Sequence, residues 1–417
     1  MSFTLKEKDV LMIPRKKCVV CGGKSLHKVL DLGIMPNSNE IVDNKDLLKV
    51  ESYPLRFYWC QDCSLFQQLD PIEGKKLFGD KYTYETGASK PAIEHFKELA
   101  ETLKRKVTRR NFAVVIGSND GTEIDLTKRF GMFKRVIGVE PAKNIAKIAN
   151  GRGLRTINDF FSYNLSKEIS SKFGKADAVI ANNVFAHIPN PADMLLGIKN
   201  LLEEDGWAII EVQWLCDVVN KLSIDTLYAE HYYEWTVKAM HTLTKSCGLV
   251  LTDVTRIDQQ GGSLRFWLKL RGRETRKLER LERAAGLYNM KMMQNLQKRT
   301  SVKKKRFRTL MIKLRKNGCV VDIWAVPAKV PTLLNFCKID SRYIRYAYDS
   351  TKSKIGKYIP RAGILIKDEK LLNENMPNMP DYLIIGAWNY LDYARKKLAW
   401  FNEKGGRIIN PATLEIL

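Results

Sequence analysis

Phe112-Ala113-Val114-Val115-Ile116-Gly117-Ser118-Asn119-Asp120-Gly121 decides how this chain is read: five apolar residues run into a polar turn bounded by two glycines. A short, wholly apolar run of this kind reads as a buried strand of a parallel sheet. A glycine-bearing turn after such a strand sets backbone N–H groups and a helix N-terminus against a bound molecule. The turn departs from the Gly-x-Gly-x-x-Gly dinucleotide fingerprint, because only two glycines flank a Ser-Asn-Asp bridge. Asp120 can accept from an ammonium group, which suits an amino-acid-bearing cofactor better than a pyrophosphate. Glu140, ending the next apolar run, can accept from both hydroxyls of a ribose. Asp159 and Phe160, at the end of the following unit, can frame an adenine with a carboxylate and an aromatic ring. Gly117, Asn119, Asp120, Gly121, Glu140, Asp159 and Phe160 together read as a site for S-adenosylmethionine.

Outward from this stretch the alternation of strand and helix continues. Residues 135–140, 178–183 and 207–212 are further apolar strand runs with helix-length segments between them, the pattern of a doubly wound parallel sheet. Runs at 249–256 and 263–270, either side of Gln259-Gln260-Gly261-Gly262, read as an antiparallel edge. A second α/β unit follows, with strands expected at 319–326, 343–348, 382–388 and 407–409, and helices at 329–336 and 391–403.

Upstream, Cys18-Val-Val-Cys21 and Cys60-Gln-Asp-Cys63 form two Cys-x-x-Cys pairs, the usual way to hold one tetrahedral zinc with four thiolates. The surrounding segment is poor in helical periodicity, so the metal is expected to contribute folding free energy. The expected division is a zinc-binding domain at 1–90, a cofactor-binding domain at 91–270, a basic helical connection at 271–316, read as helical over 274–296, and a second α/β domain at 317–417. The remaining cysteines, Cys216, Cys247, Cys319 and Cys337, are scattered, as in a reducing compartment. There is no run of about 18 apolar residues to span a membrane, and residues 1–6 lack a signal peptide's apolar stretch, so a cytoplasmic location is expected. No feature of the sequence specifies an oligomeric state.

The formal charge is +24, and residues 269–316 hold 18 Lys or Arg against 3 Glu. Such a field attracts phosphates. A nucleotide diphosphate, an acidic surface and nucleic acid are the candidate partners, set against a solvated helix face. The chain has no recognisable reader helix or RNA-stacking motif.

Taken in order, the motifs resemble those of the sugar C-methyltransferases that act on nucleotide-linked 4-keto-deoxysugars. They are the paired Cys-x-x-Cys, Tyr82-Thr-Tyr84-Glu-Thr-Gly87-Ala-Ser89, Gly117-Ser-Asn-Asp-Gly121, Gly138-Val-Glu140-Pro141 and Asn182-Asn183-Val-Phe-Ala-His187. Asp225-Thr-Leu-Tyr228-Ala229-Glu230-His231, Gly261-Gly262-Ser263-Leu-Arg265, Tyr358-Ile-Pro360, Pro380-Asp381-Tyr382 and Trp388-Asn389 continue the series. The resemblance covers nearly the whole chain. It implies an α/β fold with a central class I methyltransferase-like parallel sheet, an amino-terminal zinc-binding domain and a carboxy-terminal Rossmann-like domain that helps enclose the nucleotide-sugar. It also implies His231 as the proton-abstracting residue, supported by Glu230 and His187. Asn183, Tyr228 and the pair Tyr82 and Tyr84 would line the reaction centre, with either tyrosine approaching the sugar.

Three departures stand out. Ala229 replaces an imidazole in the family's Tyr-His-Glu-His. Trp324-Ala-Val-Pro327-Ala-Lys329-Val330 replaces a glycine-rich turn, and Arg361 stands where a glycine is customary. A sugar N- or O-methyltransferase, a catalytically degenerate nucleotide-sugar binder and a zinc-containing nucleic-acid-binding protein are the competing readings. Arg265 suits a carboxylate or phosphate as a fork, and Lys329 is a diphosphate candidate. His27, His95 and His241 have no constellation that raises them above surface or helix residues.

Overall fold

The computed structural model describes residues 14–44, 50–77, 82 and 84–417. Three sheets organise these residues.

The amino-terminal sheet is antiparallel, in the order Leu26–Pro36, Ser52–Cys60, Phe66–Gln67 and Tyr233–Glu234. Ser52–Cys60 alternates strictly, burying Tyr53, Leu55, Phe57 and Trp59 on one face, the period-2 pattern of a half-buried strand. Its long partner Leu26–Pro36 carries two register shifts and Gly33 at φ +88°, and those irregularities hide it from periodicity. The fourth strand comes from far along the chain, so this sheet grips the middle of the molecule.

The central sheet has seven strands, in the order Val250–Ile257, Ser263–Lys269, Leu202–Gln213, Ala176–Asn182, Phe112–Ile116, Arg135–Val139 and Thr156–Ile157. The five from Leu202–Gln213 onward pair in parallel, and the first two pair antiparallel at the edge. Every residue of Phe112–Ile116 and Ala176–Asn182 is buried, as a sheet covered by helices on both faces requires. The third sheet runs Leu365–Asp368, Tyr346–Asp349, Val321–Trp324, Tyr382–Ile385, Arg407–Asn410 and Glu415–Ile416, parallel except for its last strand. One hydrophobic cluster runs through all three units, from Phe57 and Phe66 through Val114 and Val179 to Ile323 and Ile384.

The basic connection differs from the single helix read over 274–296. It forms two short helices, Glu279–Ala284 and Met290–Gln294, then the long helix Leu296–Lys316. The cause is Glu282, drawn fully inward to accept from Trp214 Nε1 and Val237 N, both at 2.7 Å, with Gly286 at φ +75° breaking the path. Several cations of the long helix face inward rather than outward. Arg299 and Lys303 donate to the carbonyls of Val219 and Leu222, and Arg308 to those of Cys337 and Lys338. These carbonyls end the helices Leu215–Lys221 and Lys329–Cys337, where unpaired C=O groups and the helix dipole favour positive charge. The helix expected over 391–403 is likewise two, Leu391–Lys397 and Ala399–Glu403. Among the described residues no helix is long and apolar enough to cross a membrane.

Candidate active site

The carboxyl ends of the central strands open on a cavity of about 680 Å³, walled also by Asn39 and Gly74 from the amino-terminal unit and by Pro327, Ala328, Lys329 and Lys354 from the third sheet's unit. Ligands of open parallel sheets sit in this position.

One half is built on the glycine turn. Gly117 has φ +67°, and a Cβ there would lie 2.2 Å from the Val184 side chain, so only glycine fits. Its N–H and that of Ser118 donate to the Val139 carbonyl at 2.8 and 3.1 Å. Glu140 accepts from Asn119 N at 3.0 Å and Ala142 N at 2.8 Å while lining the cavity; burial raises its carboxyl above the usual range. Among the described residues the buried Ser118 Oγ, Asn182 Oδ1 and Gln213 Oε1 have no protein partner, and all three residues line the cavity. Unmet polar atoms around a glycine cradle fit a polar, nucleoside-bearing cofactor. Gly121, at φ +83°, caps the helix Thr122–Arg129.

Two expectations for this half need correction. Asp120 is taken up by backbone N–H groups of Thr122 at 3.1 Å and Gly87 at 2.9 Å, and it is not part of the wall. It ties down the Tyr84–Gly87 segment instead, together with Asn119, which accepts from Thr86 N and donates to the Tyr84 carbonyl. Asp159 is exposed and accepts from Phe160 N, so only Phe160 of that pair reaches the cavity. Glu123, not anticipated from the sequence, lines the wall with a carboxyl pushed up to about 8 by burial and by nearby Glu211.

The other half gathers Tyr82, Tyr84, Asn183, His187, Tyr228 and His231. Asn144 Nδ2 holds the Tyr82 carbonyl at 2.9 Å, and Asn183 sits at φ +55°. His187 Nδ1 donates to the Glu230 carbonyl at 2.6 Å, which sets its tautomer. The His187 and His231 rings lie 4.8 Å apart, and Tyr228 lies 4.0 Å from His231. Burial and then the charge of Lys329 hold the His231 imidazole down to about 3, against the pull of the Thr226 carbonyl. Burial and then His231 do the same to His187.

The carboxylate beside His231 is Glu234, whose Oε1 lies 3.1 Å from Nδ1. Glu230, the acid implied by the resemblance, turns away. Its Oε1 accepts from Asn39 N at 3.1 Å and Asn39 Nδ2 at 2.8 Å, and it is absent from the cavity wall. Adjacent residues of a loop point in different directions, and i+3 spacing outside a helix carries no facing rule, so Glu234 had no signal in the sequence. Burial raises Glu234 well above the usual carboxylate range and Glu230 to about 7.

The amino-terminal unit scaffolds this loop. The Sγ atoms of Cys18, Cys21, Cys60 and Cys63 lie within 4.8 Å of one another, with no disulfide among them. Four converging thiols at that spacing fit a tetrahedral zinc, and these cysteines are its ligands. Both knuckles turn through a left-handed residue, Gly22 at φ +71° and Ser64 at φ +63°. From the second knuckle the chain enters Phe66–Gln67, which pairs with Tyr233–Glu234. Gln68 then donates through Nε2 to the carbonyls of Ala229 and His231, at 3.2 and 2.8 Å.

Arg265 makes ion pairs with Glu211 and Glu98, and His95 bonds Glu211 at 2.6 Å. Arg265 is therefore committed to carboxylates of the protein, and His95 belongs to a buried network rather than the surface.

Three family models match the chain: a zinc binding domain over residues 18–78, a methyltransferase domain over 95–267 and the C-methyltransferase C-terminal domain over 258–412. The C-methyltransferase NovU of Streptomyces niveus is 30% identical over 408 residues, which cover 95% of this chain and 96% of NovU. Among solved structures, the plantazolicin methyltransferase BpumL in complex with SAH aligns with 42% of this chain and 82% of its own, at 11% identity and a TM-score of 0.35. An S-adenosylmethionine-dependent methyltransferase from Clostridium acetobutylicum aligns with 43% of this chain and 92% of its own, at 10% identity and a TM-score of 0.34.

Proposed function

The chain belongs to the C-methyltransferase family that includes NovU, an S-adenosylmethionine-dependent family with an amino-terminal zinc site, and from that premise we propose that it methylates C3 of a nucleotide-linked 4-keto-deoxysugar through an enolate. One observation carries this reading: a single cavity joins the Gly117 turn and Glu140 to the cluster of His187, Tyr228 and His231.

Carbon becomes a nucleophile only when a proton next to a carbonyl is removed, and a 4-keto sugar offers that proton at C3. Neutral imidazole is the side chain suited to take it. His231 removes the C3 proton, the electron pair moves to the C4 oxygen, and Glu234 stabilises the imidazolium. S-adenosylmethionine supplies the electrophilic methyl. Gly117, Asn119 and Glu140 hold that donor at one end, while Asn183, Tyr228 and one of Tyr82 and Tyr84 orient the sugar at the other. Holding both in near-attack geometry is itself a large part of the rate. Three units close on the cavity, and water is thereby kept from the enolate. The basic field of the 271–316 connection draws the diphosphate of the acceptor toward the molecule.

The test uses 4-keto-6-deoxyhexoses linked to thymidine, uridine, cytidine or guanosine diphosphate. With S-adenosylhomocysteine in heavy water, the enzyme should exchange the C3 proton without methyl transfer, and His231→Gln should abolish both exchange and turnover. A methylated product that retains the C3 proton would defeat the enolate route.

A further inference from the structure

Lys329 is a buried cation for which the chemistry above has no task. Its residue is 5% exposed, yet it lines the shared cavity. Nζ donates to Asn389 Oδ1 at 2.6 Å and lies 4.6 Å from the centre of the Trp388 ring. Both partners are neutral. Among the described residues no carboxylate stands at ion-pair distance, and Asp225, the acid whose field reaches Lys329, already accepts from Trp388 Nε1 at 2.6 Å. Burial lowers the ammonium only to about 8, so it stays largely charged near neutrality. A buried charge without a counter-charge is costly, unless an anion arrives during the work the site does.

The loop that leads into Lys329, the first residue of the helix Lys329–Cys337, is fixed before any ligand arrives. Ala325 is held at φ +64° by a bond from its N–H to the Tyr348 carbonyl at 2.8 Å. Val326 N donates to Asp349 Oδ2 at 2.8 Å, and the Val326 carbonyl accepts from Lys354 Nζ at 2.9 Å. Lys354 is thus spent on the loop itself, whereas Lys329 is presented to the cavity. The Trp388 ring that faces Nζ is bonded to Asp225, and Tyr228, three residues further on, lies 4.0 Å from the His231 ring, which sets ammonium and imidazole toward the same end.

We propose that Lys329, held by Asn389 and Trp388, is a catalytic residue that stabilises the enolate oxygen at C4 of the acceptor. The inference rests on the enolate reading given above. The C3–H pair becomes the C3–C4 double bond as the proton passes to His231, and the carbonyl pair moves onto oxygen beside Nζ. On methyl transfer the oxygen lone pair returns to re-form the carbonyl, the C3–methyl bond forms, and the methyl–sulfur bond breaks with its pair left on sulfur. A diphosphate is charged from the moment of binding, so a cation serving it would act on affinity. One serving an enolate acts where negative charge develops, and its effect falls on the rate.

The test compares wild type, Lys329→Met, Lys329→Gln and Lys329→Arg with the same four nucleotide 4-keto-6-deoxyhexoses. S-adenosylhomocysteine binding by calorimetry serves as the check on folding. Loss of the ammonium should lower C3 exchange and kcat together by about 100- to 1,000-fold, leave KM for the acceptor within threefold, and be partly restored by arginine. A tenfold or larger rise in KM with kcat nearly unchanged would assign Lys329 to the diphosphate and overturn the proposal. Exchange as fast as wild type in both Lys329→Met and Lys329→Gln would overturn it as well. Absence of exchange with all four acceptors in wild type would instead reject the enolate reading, and this proposal with it.

Discussion

Replacing Glu234 by glutamine should slow the reaction without disturbing either substrate's binding. Burial and the charge of Lys329 hold the His231 imidazole down to about 3, and an imidazole so disfavoured as a cation is a weak base toward carbon. Glu234 lies 3.1 Å from Nδ1, is fully buried, and carries a second oxygen with no partner among the described residues. Burial pushes its own affinity for a proton upward, so each member alone resists ionisation. Together they form a couple that gains a proton as a neutral pair, imidazolium against carboxylate, with no net charge left in the interior. Such a couple is a stronger base than the isolated ring.

Glutamine keeps the size of the side chain and an oxygen that can accept from Nδ1, so geometry and tautomer persist and only the charge is lost. A charge-assisted hydrogen bond contributes about 1.5–3 kcal/mol. At about 1.36 kcal/mol per factor of ten, Glu234→Gln should lower kcat and C3 exchange by about 10- to 150-fold. KM for the acceptor should stay within threefold, because Glu234 does not touch the cavity wall. Single-turnover methyl transfer and proton exchange in heavy water measure both steps. A loss below threefold in both would refute the couple, as would Glu230→Gln having the larger effect while the fold stays intact.

Two other expectations follow from the same geometry. Cys63→Ser, or zinc removal with a strong chelator, should cut methyl transfer at least about 100-fold while S-adenosylmethionine affinity in calorimetry stays within threefold; the zinc unit supports residues 229–234 through Phe66–Gln67 and Gln68, whereas the Gly117 turn hangs on the central sheet, and structural zinc in small domains holds on the order of 10 kcal/mol of folding free energy. Glu123, at about 8 against an ordinary 4.5, keeps its proton in the fold while the unfolded chain releases it; stability on its account is fullest below about pH 4.5 and is lost as pH rises toward 8, a total on the order of a few kcal/mol. In thermal melts, Glu123→Gln should therefore gain on wild type from pH 5 to 8 and level off above, and a constant difference across that range would refute the assignment.

The parallel strands were legible because burial on both faces leaves a short unbroken apolar run, such as 112–116 or 178–181, bounded by polar turn residues. The zinc ligands were legible for a similar reason, since thiolate geometry fixes a local spacing that survives any tertiary arrangement. Leu26–Pro36 was not, because register shifts destroy the alternation by which a half-buried strand is recognised. The site divides along the same line. Gly117 and Glu140 are set by one strand and its turn, so their placement follows from a local pattern. Asp120 and Glu230 were misplaced because a carboxylate in a loop takes whichever N–H groups the tertiary structure brings: Gly87 for one, Asn39 for the other. Glu234 is brought against His231, and Lys329 into the cavity that His231 lines, only because a strand of the zinc unit and the start of a helix in the third sheet's unit close on the central one. The residues proposed to bind the donor are thus local to one fold, while those proposed to move the proton are assembled across three. The acceptor chemistry is accordingly the part most exposed to any change in how the units pack.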